Sequence, residues 1–201
     1  MEFAKVVRRR RMIRSYDAGR AVPQDALDAV LGAGLRAPSA GFTQGVSFLV
    51  LNSASDRERF WRLTADGDSA WLLGMREAPA LITVWTSQEA YMDRYAEPDK
   101  GWTDRNPARW SAPYWFVDAG MASMAALLAA VDHRLGACFF GIPADRIAAV
   151  HETFGVPTSQ LSVGVISLGY PASAGEKQRI MGSPTRRPRK SQTELIHYGV
   201  W

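Results

Sequence analysis

The 201 residues, 47% of them hydrophobic and 22% charged, suit one domain with a sizeable core. A formal net charge of +4 excludes a protein that binds nucleic acid over its whole surface. The lone cysteine, Cys138, excludes an internal disulfide and a cysteine-built zinc cage, and the histidines His133, His151 and His197 are scattered.

The first residues carry charge with no apolar run behind it, so the sequence predicts no signal peptide and a reducing, cytoplasmic setting. Residues 2–9 read as a helix that ends in the run Arg8-Arg9-Arg10-Arg11-Met12-Ile13-Arg14. Arg186-Arg187-Pro188-Arg189-Lys190 echoes that charge near the other end. Two such clusters suggest one anion gripped from both sides. Charge alone also allows a solvated basic face or a nucleic-acid patch, and by itself favours those readings. Residues 15–19 form a turn, and Pro23 opens a helix over residues 24–35 with an apolar stripe of Leu27, Val30 and Leu31. Pro38-Ser39-Ala40-Gly41-Phe42-Thr43-Gln44-Gly45 is a loop of small residues that can bring backbone N–H groups close to a ligand.

Residues 46–51 and 80–86 read as interior strands, with a short helix over 56–63 and an ambiguous stretch from 64 to 77 between them. Residues 88–113 show no clean periodicity and carry Tyr91, Tyr95, Trp102 and Trp110. A loop of that length in a compact domain is usually functional or mobile. Its aromatic residues form either a lid over a flat ligand or the packing of an irregular segment. Residues 114–134 form the longest helix, and 114–131 within it is the one candidate membrane span, barely long enough and argued against by Asp118, Gly120 and Ser123. Val117, Met121, Met124, Leu128 and Val131 make one stripe of a helix that is apolar nearly all round, which predicts a central position with some cover from a second subunit. Met121 and Met124 are expected in the core. A short strand over 137–140, a helix through 154 and a strand over 161–170 follow, and the tail from 171 to 201 is polar until Leu195-Ile196-His197-Tyr198. Such an ending predicts a docked tail. No Gly-x-Gly-x-x-Gly follows a strand, so a Rossmann dinucleotide site is not expected.

In order along the chain, these segments resemble the nitroreductase-like family of FMN-dependent oxidoreductases. Arg10-Arg11-Met12-Ile13-Arg14-Ser15-Tyr16-Asp17 is similar to its Arg-Arg-Ser-x-Arg-x-Phe-Asp motif, and Pro38-Ser39-Ala40-Gly41-Phe42-Thr43-Gln44 to its Pro-Ser-x-x-Asn-x-Gln loop. Cys138-Phe139-Phe140-Gly141 sits where the family has its flavin-facing segment. Val165-Ile166-Ser167-Leu168-Gly169-Tyr170-Pro171 matches the closing strand, and Arg189-Lys190 with Glu194-Leu195-Ile196-His197 the C-terminal ending.

The resemblance implies one α+β domain over residues 1–201, a three-layer α/β/α fold with a mixed, mainly antiparallel central sheet. It implies an intertwined homodimer with FMN at the subunit interface and residues 171–201 docked on the partner. Arg10, Arg11 and Met12 would hold the phosphate and ribityl end, and Arg14 would reach the pyrimidine edge. Pro38, Ser39, Ala40 and Gln44 would meet the ring from the partner chain. Phe139, Phe140 and Gly141 would lie against the isoalloxazine with a backbone N–H facing N5, and Arg187 and Arg189 would complete the phosphate clamp. Phe42, Trp102 and Trp110 are the candidate substrate contacts. NAD(P)H would reduce the flavin and leave before an electron-poor acceptor, a nitroaromatic or a quinone, is reduced. No protein acid or base is then required, and no metal, membrane or nucleic acid. Met12 stands where the motif has Ser, Phe42 where it has Asn, and Phe140 where Gly or Glu is common. These departures keep a specialised relative open, one that destroys flavin, removes halogen or uses a deazaflavin. A non-enzymatic nucleic-acid-binding protein is the remaining alternative.

Overall fold

The computed structural model describes residues 1–173 and 187–201. Helices α1 (Phe3–Arg9) and α2 (Gln24–Leu35) precede β1 (Val46–Leu51). Helices α3 (Ala54–Thr64) and α4 (Ala70–Arg76) lead to β2 (Ala80–Thr86), and α5 (Gln88–Ala96) and α6 (Tyr114–Asp132) to β3 (Gly136–Phe140). Helix α7 (Ile147–Phe154) and β4 (Leu161–Gly169) complete the domain.

The sheet order is β1-β2-β4-β3, and every neighbouring pair is antiparallel. Its parallel component is a bridge from Met12 to Ala137 on the edge strand β3. Strand side chains alternate between faces. Ile82, Val84, Ile166 and Leu168 therefore pack with Leu27 and Val30 of α2 and Ala119, Ala126 and Ala130 of α6. Leu81 and Val165 on the opposite face pack with Phe60 and Trp61 of α3 and Leu72 and Met75 of α4. Two helical layers thus sandwich the sheet, as the α/β/α expectation requires. Burying a fully covered aromatic such as Phe60 (0% exposed) contributes about 1.5–3 kcal/mol, so these two clusters hold most of the fold.

Two expectations need correction. Residues 88–96 are helical, capped by the Ser87 hydroxyl, which accepts from the Ala90 N–H at 3.2 Å. The helix is short and buries only Tyr91 and Met92, so its periodicity is too brief to read in the sequence. The α6 stripe also faces the other way. Its buried side is Trp115, Asp118, Ala119, Ala122, Ser123, Ala126, Leu127 and Ala130. Val117, Met121 and Met124 are 44%, 39% and 46% exposed, so the methionines are not core within one chain. Helix α6 is long and apolar enough to span a membrane by length and composition, with 44% of its apolar window buried. Small residues bring it close to the sheet, and the larger ones are left outside.

Candidate functional site

The basic run ends α1 and then threads along the edge of the sheet. Ile13 N–H donates to Ala137 O at 2.9 Å, Asp17 N–H to Tyr170 O at 2.9 Å and Ala172 N–H to Ser15 O at 3.1 Å. Tyr16 anchors the run: its hydroxyl donates to Ile13 O at 2.8 Å and lies 2.8 Å from Ser167 Oγ. Burial pushes the Tyr16 phenol well above its ordinary range, so it stays a neutral donor.

The arginines divide into different roles. Arg10 Nη1 is buried and has no hydrogen-bond acceptor among the described residues. Leaving a charged donor in that state costs about 1–3 kcal/mol or more. Arg11 is exposed and turns back onto the end of α1, donating to Arg8 O at 2.7 Å and Arg10 O at 2.8 Å. Arg14 Nη1 donates to Met12 O at 3.1 Å. Met12 uses its sulfur as an acceptor, 3.4 Å from the Phe139 N–H. The thioether that displaces a hydroxyl in the motif therefore fixes the basic run to β3, and the Phe139 N–H is already engaged.

Met12, Arg14, Phe139 and Phe140 are thus brought together. Phe139 lies across β4, where a Cβ on Gly164 would come within 2.4 Å of its ring. Phe140 stacks on Trp61 at 5.5 Å and 10°, with Trp71 edge-on to it at 5.6 Å. Gly141 is exposed, with open space where a Cβ would be. Trp61 and Trp71 join this group without a signal in the sequence, because nothing in their spacing links α3 and α4 to residue 140. Cys138 is buried, and burial pushes its thiol up.

The small-residue loop forms a second group. Ala40–Phe42 is a 3-10 turn. Phe42 and Gln44 adopt φ of 55° and 54°, and Gly41 a φ of 61°. A non-glycine residue in this region costs about 1–3 kcal/mol and persists where surrounding structure enforces it. Here Ala40 N–H donates to Asp118 Oδ2 at 2.8 Å, and Arg94 Nε to Gly41 O at 2.8 Å. Gln44 N–H donates to Ser39 Oγ at 2.9 Å, and the Thr43 hydroxyl to Ala40 O at 2.6 Å. Phe42 is 75% exposed. Pro38, Ser39, Gln44 and Asp118 line a cavity of about 250 Å³.

Behind the loop, Tyr95 contacts Trp110 at 4.3 Å and Trp102 at 4.9 Å, and Trp110 contacts Tyr114 at 5.4 Å. These rings pack on one another and back the turn at Gly41, where a Cβ would come within 2.7 Å of Tyr95. Arg187 and Arg189 are exposed in the C-terminal segment, whose Ser191 and Glu194 cap one another. Arg186 lies outside the described residues.

The architecture places the chain in a class with many solved members. Nitroreductase CinD from Lactococcus lactis, in complex with nicotinic acid, is 18% identical at a TM-score of 0.72, covering 94% of this chain and 100% of that one. A provisionally named nitroreductase from Desulfovibrio desulfuricans, solved with FMN, is 24% identical at a TM-score of 0.71, covering 100% of this chain and 98% of that one. These likenesses speak for the fold. Residues 7–68 and 68–170 match the Nitroreductase family as a sequence family, and the chain belongs to it. A provisionally named NADH dehydrogenase/NAD(P)H nitroreductase from Methanothermobacter thermautotrophicus is 28% identical over 174 residues, which is 86% of this chain and 78% of that protein.

Proposed function

We propose that the protein is an FMN-dependent oxidoreductase that takes reducing equivalents from NAD(P)H and passes them to an electron-poor acceptor such as a nitroaromatic or a quinone. The observation that carries this reading is Arg10 Nη1, a buried charged donor with no acceptor among the described residues, at the position where the family resemblance expects a phosphate. A guanidinium nitrogen held out of water suits a phosphate oxygen, so the residues fit the group. FMN, when bound, supplies the reversible hydride and electron transfer.

The chain supplies position and charge. Arg10 would hold the phosphate, with the exposed Arg11, Arg187 and Arg189 as further cations for it. Arg14 stands beside Met12 as the cation for the pyrimidine edge. Phe139, Phe140 and the open space at Gly141 would form the ring-facing segment, in which Trp61 stacks on Phe140. Phe42, Trp102 and Trp110 are the substrate-side candidates. A cytoplasmic setting suits the single reduced, buried thiol.

The exposed α6 stripe of Val117, Met121 and Met124 supports a homodimer, as do Leu195, Ile196 and Tyr198 of the tail, which are 60%, 47% and 88% exposed. In that dimer the loop at 38–44 would meet the flavin of the second subunit and the described end of the tail, residues 187–201, would dock across the interface, while residues 174–186 of the expected docked tail lie outside the described residues. Met121→Glu is expected to shift the protein toward monomer in sedimentation velocity, because a charge would then be buried unpaired. An unchanged dimer would remove α6 from the interface.

The test of the function is the visible spectrum of the purified protein. Yellow protein, or FMN-dependent thermal stabilisation of the colourless form, is expected, with bleaching by NADH or NADPH and recovery on adding a nitroaromatic or quinone. Protein that neither carries nor is stabilised by FMN would defeat the proposal. Bound FMN that neither nucleotide bleaches would transfer the reading to another reductant.

A further inference from the structure

Asp118 is the one carboxylate on the buried side of α6. It is 2% exposed, and both of its hydrogen bonds come from neutral donors. Tyr91 OH donates to Oδ2 at 2.7 Å, and Ala40 N–H donates to the same atom at 2.8 Å. Tyr91 is itself fully buried, lying against Gly45 at the end of the loop, where a Cβ would come within 2.5 Å of its ring. The Asp118 side chain therefore ties together the start of the loop, its end and the helix that bears the exposed apolar stripe. A buried carboxylate with no cation among its described partners is a costly way to fill space, and a leucine would pack there more favourably. What an apolar residue cannot do is accept two hydrogen bonds on one oxygen. Two donors held on one acceptor oxygen offset the cost of a turn with non-glycine residues at positive φ.

We propose that Asp118 is a positioning residue for flavin binding, which holds the 38–44 loop in its strained form so that the loop meets the flavin ring without having to be ordered on binding. Arg94, which donates to Gly41 O at 2.8 Å, is its weaker counterpart on α5. The inference rests on the FMN reading above and on the loop's contact with the ring, and it concerns the ring end of the ligand rather than the phosphate end. Preorganisation of this kind contributes affinity by lowering the ordering cost of binding.

The test compares FMN and riboflavin, which differ by the phosphate, in fluorescence titrations of the wild type, Asp118→Ala, Asp118→Asn and Arg94→Met. Asp118→Ala is expected to weaken both flavins by roughly tenfold or more, with the ratio of their dissociation constants unchanged. Asp118→Asn keeps an acceptor oxygen for both donors and is expected to restore most of the loss. Arg94→Met, on a partly exposed side chain, is expected to weaken both flavins by a smaller factor. It keeps the test decisive should Asp118→Ala fail to fold. Folded Asp118→Ala with wild-type affinity for both flavins would overturn the inference. So would a change confined to FMN, or an asparagine variant as weak as the alanine. A wild type that binds neither flavin would instead overturn the functional reading on which it rests.

Discussion

Replacing Arg10 by methionine is expected to stabilise the ligand-free protein while weakening FMN roughly 10- to 150-fold. The two effects have opposite signs for one reason. Arg10 Nη1 is buried and unpartnered among the described residues, so in the ligand-free chain it has lost its hydration without gaining an acceptor. Methionine keeps the length and the apolar stem contacts and removes the desolvated charge, which recovers about 1–3 kcal/mol. When a phosphate is present the balance reverses. A hydrogen bond to a charged group contributes about 1.5–3 kcal/mol, and each 1.4 kcal/mol is tenfold in affinity. Riboflavin, which has no phosphate, should bind the variant as it binds the wild type. Thermal melts without ligand and paired FMN and riboflavin titrations check both halves. A variant that melts lower and still binds FMN at wild-type strength would show that Arg10 is a structural residue. Arg11→Met should behave differently. Its guanidinium caps the carbonyls of Arg8 and Arg10 at an exposed helix end, so stability falls by about 1 kcal/mol or less and ligand-free stabilisation is not expected.

The two arginines also show what the sequence could and could not reveal. Neighbouring residues of one type in one run are indistinguishable by composition, yet one faces inward and the other folds back on its own helix. The strands at 46–51 and 80–86 were legible because a continuous apolar run has few other uses in a domain of this size. The direction of α6 was not legible. Its small residues and its large ones both count as apolar, and only packing decides that alanines face the sheet while Val117 and Met121 face out. Asp118 carries two signals in the sequence. One acid in an apolar helix argues against a membrane span, but it also marks a buried polar contact in need of a partner. That partner lies in the loop at residue 40, distant in sequence and without periodicity. The Phe140–Trp61–Trp71 cluster had no local signal, since three elements meet there only through the fold.

Gly164→Ala is expected to destabilise the protein by about 1–3 kcal/mol, occasionally more, and for a chain of this size to lower Tm by roughly 2–12 °C. Gly164 sits opposite Val84 in β4, next to the register shift between Val84 and Trp85. An added Cβ would lie 2.4 Å from Phe139 Cζ and 2.9 Å from Phe140 O. The ring could swing away, but the carbonyl belongs to the ladder between β3 and β4, where Phe140 pairs with Val165. Relief therefore requires β3 to shift at its C-terminal end, which is the segment assigned to the flavin face. Truncating the ring separates the two clashes. Phe139→Leu in the Gly164→Ala background should recover part of the lost stability, because only the side-chain clash is removed. A double-mutant cycle should then show coupling of about 0.5–3 kcal/mol between the positions. FMN should bind more weakly to Gly164→Ala than to wild type at temperatures where both are folded, and the double variant should not regain that affinity, because the carbonyl remains displaced. A Gly164→Ala protein with wild-type Tm and wild-type FMN affinity would mean that β3 accommodates the methyl group freely, and would detach the Phe139–Gly141 segment from the proposed ring-facing wall.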